Sequence, residues 1–416
     1  MRVDSHRDRV VINVAAFLRS LGVGLMGVVL GIYLSRIGFS AFRIGSVIAI
    51  GLAGSAAATT VVGFAADRVG RRRFLLILTV LTSLGGLVLY ASPQLPLLLA
   101  MAFVGMLNGT GTERSATFAL EQAVIPGLGP ETRRTWNLAF YNVLIDGGGS
   151  LGALGAGLPA LLQHQFNFSL LGGYRVLFLA FSGLYLATGI LYSMLSPAVE
   201  VNTSPTLQQV GLATRETKRV IGKLTALFSL DSFGGGFLTD ALVSYWFFRR
   251  FGLSEHDLGF VFFAVHVLNA LSHLGAAWLA RRIGLVNTMV FTHLPSSLFL
   301  MAVPFASSAK WAIVLFFARE ALVEMDVPTR QSYVASLVAP SERSFAIAVT
   351  NVARNVWWAI GSATAGALMQ VFPFSAPLFV GGSAKVAYDV LLYRSFRGLK
   401  PPEEKATSAS KGILAP

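Results

Sequence analysis

The sequence predicts an all-α membrane protein, twelve transmembrane helices arranged as two parallel-repeat six-helix halves. Three observations predict it: the composition, a series of apolar runs each long enough to cross a bilayer, and an internal repeat that runs in one direction. Of the 416 residues, 54% are hydrophobic and 13% charged, a balance foreign to soluble domains. The net charge of +13 is not a nucleic-acid signal, because the Lys and Arg sit in short links between apolar runs. Without cysteine, neither a disulfide framework nor a thiolate metal site is available, and no metal or cofactor is expected.

Taking about 20 residues as the length that spans a bilayer, the apolar runs fall at 10–34, 42–62, 74–91, 97–123, 135–160, 173–195, 222–248, 258–280, 288–306, 311–337, 344–370 and 376–397. The basic start from Met1 to Arg9 leads into the first run as a signal peptide does. Arg19 interrupts that run and no small-residue cleavage site follows, so it reads as an uncleaved first helix. Of the 33 Lys and Arg, about 21 lie at the termini and in the even-numbered links, about six in the odd links and about six inside runs. Both termini are therefore expected in the cytoplasm, with the chain multi-pass in the inner (plasma) membrane.

The halves repeat each other. Gly22 pairs with Gly236, Arg36 with Arg250, Gly38 with Gly252, Gly45 with Gly259, Arg68 with Arg282, Gly70 with Gly284 and Pro126 with Pro340, each 214 residues apart. Beyond an insertion near Gly127 to Pro130 the offset becomes 209, pairing Arg134 with Arg343, Asn142 with Asn351 and Gly152 with Gly361. Such a repeat marks two six-helix halves. The expected organisation is a half at 1–195, a polar cytoplasmic linker at 196–221, a second half at 222–399 and a disordered tail at 400–416.

The link between the second and third runs reads Gly63-Phe64-Ala65-Ala66-Asp67-Arg68-Val69-Gly70-Arg71-Arg72-Arg73. Its arginines hold it at the cytoplasmic surface, its glycines allow a tight turn, and Asp67 is placed to cap a helix N-terminus across the bundle. These residues resemble the motif of the major facilitator superfamily (MFS) between its second and third helices, Gly-x-x-x-Asp-Arg-x-Gly-Arg-Arg, with every charged and glycine position filled. The resemblance extends over nearly the whole chain. It implies the MFS fold, with the first, fourth, seventh and tenth helices lining a central cavity and the third, sixth, ninth and twelfth as outer supports. The chain also departs from the family pattern. In the second-half copy Ala277 stands at the Gly63 position and Arg281 at the Asp67 position, so the two hinges are expected to differ in strength. Where the family's fourth helix often carries an Arg ahead of a Gln-Gly pair linked to proton coupling, here Gly105 precedes Asn108-Gly109. The fifth-helix Gly-Pro signature of antiporters is only suggested, by Gly148, Gly152, Gly157 and Pro159.

A charge in hydrocarbon costs at least about 2.5 to 3.5 kcal/mol, so each one inside a run needs a partner, a wet cavity or a function. Arg19, roughly 15 Å into the first helix, either lines the cavity as a cation for an anionic substrate group or forms a buried pair with an acid of another helix. In the tenth run, Glu320 and Glu324 share one helical face, and Arg319, Asp326 and Arg330 a neighbouring one. Two carboxylates side by side suit a proton carrier; salt bridges to Arg19 or Arg114 are the alternative. Pro328 is expected to kink that helix between Asp326 and Arg330. In the fourth run Glu113 and Arg114 point about 100° apart and cannot simply pair, while Glu121 is placed to meet Arg68 or Arg71. Asp231 and Asp240 in the seventh run are candidates for titration. Asp146 with Arg354, and Lys385 with Asp389 at i and i+4, are expected as structural pairs. The family geometry implies Arg19, Glu113, Arg114, Asp231, Glu320 and Glu324 as first candidates for substrate or proton coupling, while the link motif and the position of Glu121 beside it suggest a cytoplasmic gate of Gly63, Asp67, Arg68, Gly70, Arg71, Arg72 and Glu121.

The expected function is secondary active transport of a small organic solute by alternating access, proton-coupled and directed outward, by a monomer in the lipid bilayer. A facilitator or symporter importing an anionic or zwitterionic metabolite is the alternative. From other classes, a transporter-like sensor lacks a signalling domain, and a membrane-embedded enzyme lacks His-Glu-x-x-His, Gly-x-Ser-x-Gly and Walker A motifs. The topology is directly testable. With single cysteines at Ser204 and Ser254 and an impermeant thiol reagent on intact cells, Ser254→Cys is expected to label and Ser204→Cys to stay protected. The reverse pattern would invert the assignment of every link.

Overall fold

The apolar runs fold as α-helices, and no strand occurs among the described residues of the computed structural model, 2–92, 94–125, 128, 134–200, 215–337 and 343–398. Helices α1 (Arg2–Arg36), α2 (Ala41–Val69), α3 (Arg71–Ala91), α8 (Leu170–Ser193), α11 (Glu255–Ile283), α12 (Leu285–Ala302), α15 (Arg343–Val371) and α16 (Ala376–Phe396) are continuous. Six helical stretches among the described residues are long and apolar enough to cross a membrane by length and composition. Most of the expected linker, residues 201–214, and the tail at 400–416 lie outside the described residues.

Four runs expected as single helices are each divided. The fourth becomes α4 (Leu95–Gly105) and α5 (Ala116–Val124), the fifth α6 (Arg134–Leu154) and α7 (Leu158–Phe166), the seventh α9 (Arg215–Gly236) and α10 (Asp240–Phe251), and the tenth α13 (Ala309–Val323) and α14 (Asp326–Leu337). Local chemistry explains each interruption. In the fourth run, Met106 ends α4 in the left-handed region and Gly109 and Gly111 take φ of 58° and 73°. Asn108 Oδ1 accepts from Thr110 N at 3.1 Å, and Ser115 caps α5 by accepting from Phe118 N at 3.2 Å, so side chains replace the missing helical bonds. Thr239 caps α10 in the same way. In the fifth, a 3₁₀ turn at Gly155–Gly157 precedes Pro159 near the start of α7. In the tenth, Pro328 has no N–H for the carbonyl of Glu324, its i−4 residue, and the helix stops there. The expected kink between Asp326 and Arg330 is thus corrected: the break falls before both, which share α14.

The described residues group into two compact units. One comprises the described residues within 2–200, 235–267 and 355–377; the other comprises those within 215–234, 268–354 and 378–398. In the first, α1 packs against α6, α8 and α10, and α3 against α8, around Ile12, Ala15, Leu75, Leu120, Tyr141 and Tyr192. In the second, Leu224, Phe228, Met289, Tyr333, Tyr388 and Leu392 form the core. The turn between α2 and α3 needs Gly70, whose φ is 114°, a region that L side chains avoid.

Gly111 meets two demands at once. Its φ is positive, and a Cβ there would overlap the Asp240 carboxylate. Gly111→Ala is expected to cost about 1–3 kcal/mol, read as a lower unfolding midpoint in detergent. Gly183→Ala, on helix α8 with open space at its Cβ position, should leave the midpoint unchanged or raise it.

Candidate functional site

In the first unit, α1 carries Arg19 into a fully buried position. One guanidinium nitrogen pairs with Glu113 in the α4–α5 break and the other with Glu121 on α5. Glu121 also accepts from Tyr141 Oη at 2.6 Å and Tyr192 Oη at 2.5 Å. Ser115 Oγ donates to Glu113 Oε2 at 3.1 Å. Four segments therefore converge on one guanidinium, and its fork geometry suits two carboxylates. Of the two sequence readings of Arg19, the geometry matches the buried pair. Glu121 is corrected: its partners are Arg19 and two tyrosines, not Arg68 or Arg71, because α5 turns its carboxylate into the bundle rather than toward the link.

The break lines a small cavity with Asn108, Thr110, Thr112, Glu113 and Arg114, closed on another side by Phe181 and Tyr185. Glu113 Oε1 and Thr112 Oγ1 are buried with no hydrogen-bond partner among the described residues. The Arg114 guanidinium lies 3.9 Å from the Trp358 ring centre, a cation–π contact. Sequence reasoning left Trp358 unassigned, since an aromatic at helical spacing is more often core.

The α2–α3 link is held by one local ion pair and by contacts to residues 193 and 200. Arg71 Nε donates to Asp67 Oδ1 at 2.9 Å, and Arg72 donates to the Ser193 carbonyl. The acid found on a helix N-terminus is Glu200, accepting from the backbone N of Arg71 at 2.6 Å and of Arg72 at 3.1 Å. This corrects the capping role expected of Asp67, whose carboxylate reaches Arg71 one turn away; Glu200 neutralises the positive end of α3 instead. Gly63, Asp67 and Arg68 are exposed. At the far end of α1, Arg36 makes a bidentate bond to Glu255, with Nε to Oε1 at 2.6 Å and Nη2 to Oε2 at 3.0 Å. Tyr174 donates to the same carboxylate. Sequence reasoning missed this latch, although Arg36 belongs to the repeat.

In the second unit, Asp231 on α9 accepts from Lys385 Nζ on α16 at 2.8 Å and lies 3.5 Å from Arg330 Nη1. Arg330 also pairs with Asp326 one turn away. His293 on α12 places Nδ1 3.0 Å from both carboxylate oxygens of Asp389. The expected Lys385–Asp389 pair is therefore corrected: each meets another helix, because tertiary geometry outweighs i,i+4 adjacency. His293 was missed altogether. On α13, Glu320 is paired with Arg319, while Glu324 stands at the helix end, half-buried. The expected grouping is again corrected: Arg319 joins Glu320 rather than Asp326 and Arg330, and Glu320 and Glu324 are not an isolated carboxylate pair. Arg354 donates to Ser232 Oγ at 3.1 Å.

Helices of membrane-spanning length, broken at intervals and carrying buried neutralised charges, describe a multi-pass membrane protein. The chain belongs to the Major Facilitator Superfamily, whose family model matches residues 12–317 and 224–416. It is 26% identical over 424 residues to the uncharacterized membrane protein YJR124C of Saccharomyces cerevisiae, covering 94% of this chain and 95% of that one. The fold is similar to that of the nucleoside transporter NupG, with TM-score 0.73, 12% identity and coverage of 93% and 99%. It is also similar to a D-xylose-proton symporter, with TM-score 0.71, 14% identity and coverage of 94% and 98%.

The Arg19 knot makes a stability prediction. Arg19→Leu leaves two buried carboxylates without their cation, and is expected to cost about 3–5 kcal/mol, read as a collapse of the thermal midpoint followed by tryptophan fluorescence. Adding Glu121→Leu should restore part of that loss. An unchanged midpoint in Arg19→Leu would show that the knot is not held together by its charges.

Proposed function

We propose that this protein transports a small hydroxyl-rich organic solute by alternating access, using a proton gradient. The observation that carries the reading is the interrupted fourth span, where Asn108, Thr110, Thr112, Glu113 and Arg114 face a cavity beside aromatic rings. Thr112 Oγ1 and Glu113 Oε1, buried without a hydrogen-bond partner among the described residues, match a hydroxylated solute, the rings its apolar faces, and an irregular backbone inside a membrane suits a cavity lining. The fold's likeness to a nucleoside transporter and to a D-xylose-proton symporter supports the same solute chemistry and coupling. In this reading Arg114 and Glu113 contact solute, Arg19 fixes Glu113, and Asp231, Glu320 and Glu324 serve the second half of the cycle. The link from Gly63 to Arg72 works as the cytoplasmic gate, with both termini on that side.

Proteoliposomes given D-xylose or uridine, with a pH gradient imposed in each orientation, test the proposal. Accumulation that a protonophore abolishes is expected, and the productive orientation distinguishes export from import. Arg114→Gln removes a charged hydrogen-bond donor worth about 1.5–3 kcal/mol, so uptake at low solute should fall about 10- to 150-fold with the fold intact. Uptake that ignores the gradient would remove proton coupling; wild-type uptake of neither probe would remove the solute class.

A further inference from the structure

The charge cluster of the second unit contains a group that its ion pairs do not require. Lys385 already satisfies Asp231, and Arg330 already satisfies Asp326. Asp389 is a third carboxylate, with no exposed side-chain surface, and among the described residues its one hydrogen-bonding partner is His293. A buried carboxylate needs a counter-charge or a proton. Among the described residues, the group placed to supply either is the His293 imidazole, a side chain that exists both neutral and protonated.

We propose that His293 and Asp389 form a buried proton-binding site that reports its occupancy to Asp231 through Lys385. Nδ1 carries its hydrogen toward Asp389 in both charge states. Exchange then takes place at Nε2, which lies 3.4 Å from Lys385 Nζ and 3.6 Å from Asp231 Oδ1. In the neutral ring, the Nε2 lone pair accepts from Lys385. A hydronium ion gives up one O–H bond as its proton bonds to that lone pair, and a neutral water leaves. The hydrogen bond from Lys385 to Nε2 is lost, and the cluster gains one positive charge. The imidazolium then donates toward Asp231 and repels the Lys385 ammonium, so two donors compete for one carboxylate on α9. The groups facing the site are Asp231 from α9, Glu324 beyond Arg330 at the end of α13, Asp326 and Arg330 from α14, Arg354 from α15, and Lys385, Tyr388 and Asp389 from α16. The Tyr388 ring packs edge-on against His293, centroids 5.8 Å apart, which fixes the imidazole plane. The site lies on α12 and α16, the ninth and twelfth spans, and touches one residue the sequence ranked for coupling, Asp231 of α9.

The inference deepens the proposed proton coupling, and its first test needs no solute. The chain with ¹⁵N-labelled histidine in lipid nanodiscs is observed by NMR between pH 5 and 8. The His293 signal is assigned by its loss in His293→Gln or, if that variant does not fold, by substituting the remaining histidines. An imidazolium signal from His293 at pH 6 is expected, falling at least threefold in Asp389→Asn. A His293 that stays neutral through the whole range overturns the site, as does an imidazolium fraction indifferent to Asp389→Asn. In proteoliposomes containing pyranine, D-xylose or uridine is expected to drive proton movement in the wild type. His293→Gln should lose it while retaining solute exchange. Proton movement preserved in His293→Gln overturns the coupling role. If the wild type moves neither probe, the solute reading fails, and the NMR result still decides the site.

Discussion

Inside a bilayer a charge has no solvent to fall back on, and this chain answers that constraint by gathering its charges into closed groups. Arg19 takes two carboxylates, and each oxygen of Glu121 also accepts from a tyrosine hydroxyl. Asp231 takes Lys385 and Arg330. Each group joins several helices, so the electrostatic requirement also fixes which helices lie together. Apolar packing alone could not specify this, because lipid tails compete with Leu and Val on equal terms.

The same constraint explains where helices stop. A backbone released from its helix must find other partners, and the break at 106–115 does so through Asn108, Thr110 and Ser115. The tenth span breaks at Glu324, the repeat equivalent of Thr110. The two halves thus keep the interruption while using different chemistry, glycine in one and Pro328 in the other.

Hydropathy made the fold legible, since each span announces itself by length and the repeat orders the spans. The Gly63 to Arg73 link was equally plain, because its turn is local and Gly70 has no substitute at φ 114°. The breaks were harder: a window long enough to find a span averages over Gly109-Thr110-Gly111, although glycines beside Asn108 and Ser115 are turn chemistry. Partners were least legible. Lys385 has an acid one turn away, which the helical spacing rule selects, yet its partner Asp231 is 154 residues distant. His293 sits in an apolar run, and nothing local signals that Asp389 faces it.

The long separation between partners has a consequence for biogenesis. Arg19 and Glu121 are 102 residues apart in the chain, and ribosomes add about 5–20 residues per second. The first helix therefore waits roughly 5–20 s with its arginine unneutralised after leaving the tunnel. A helix in that state cannot be released freely into lipid. It must stay at a wet, protected boundary, at the insertion machinery, until the fourth span arrives, so Arg19 makes the N-terminal helices enter the bilayer as a group.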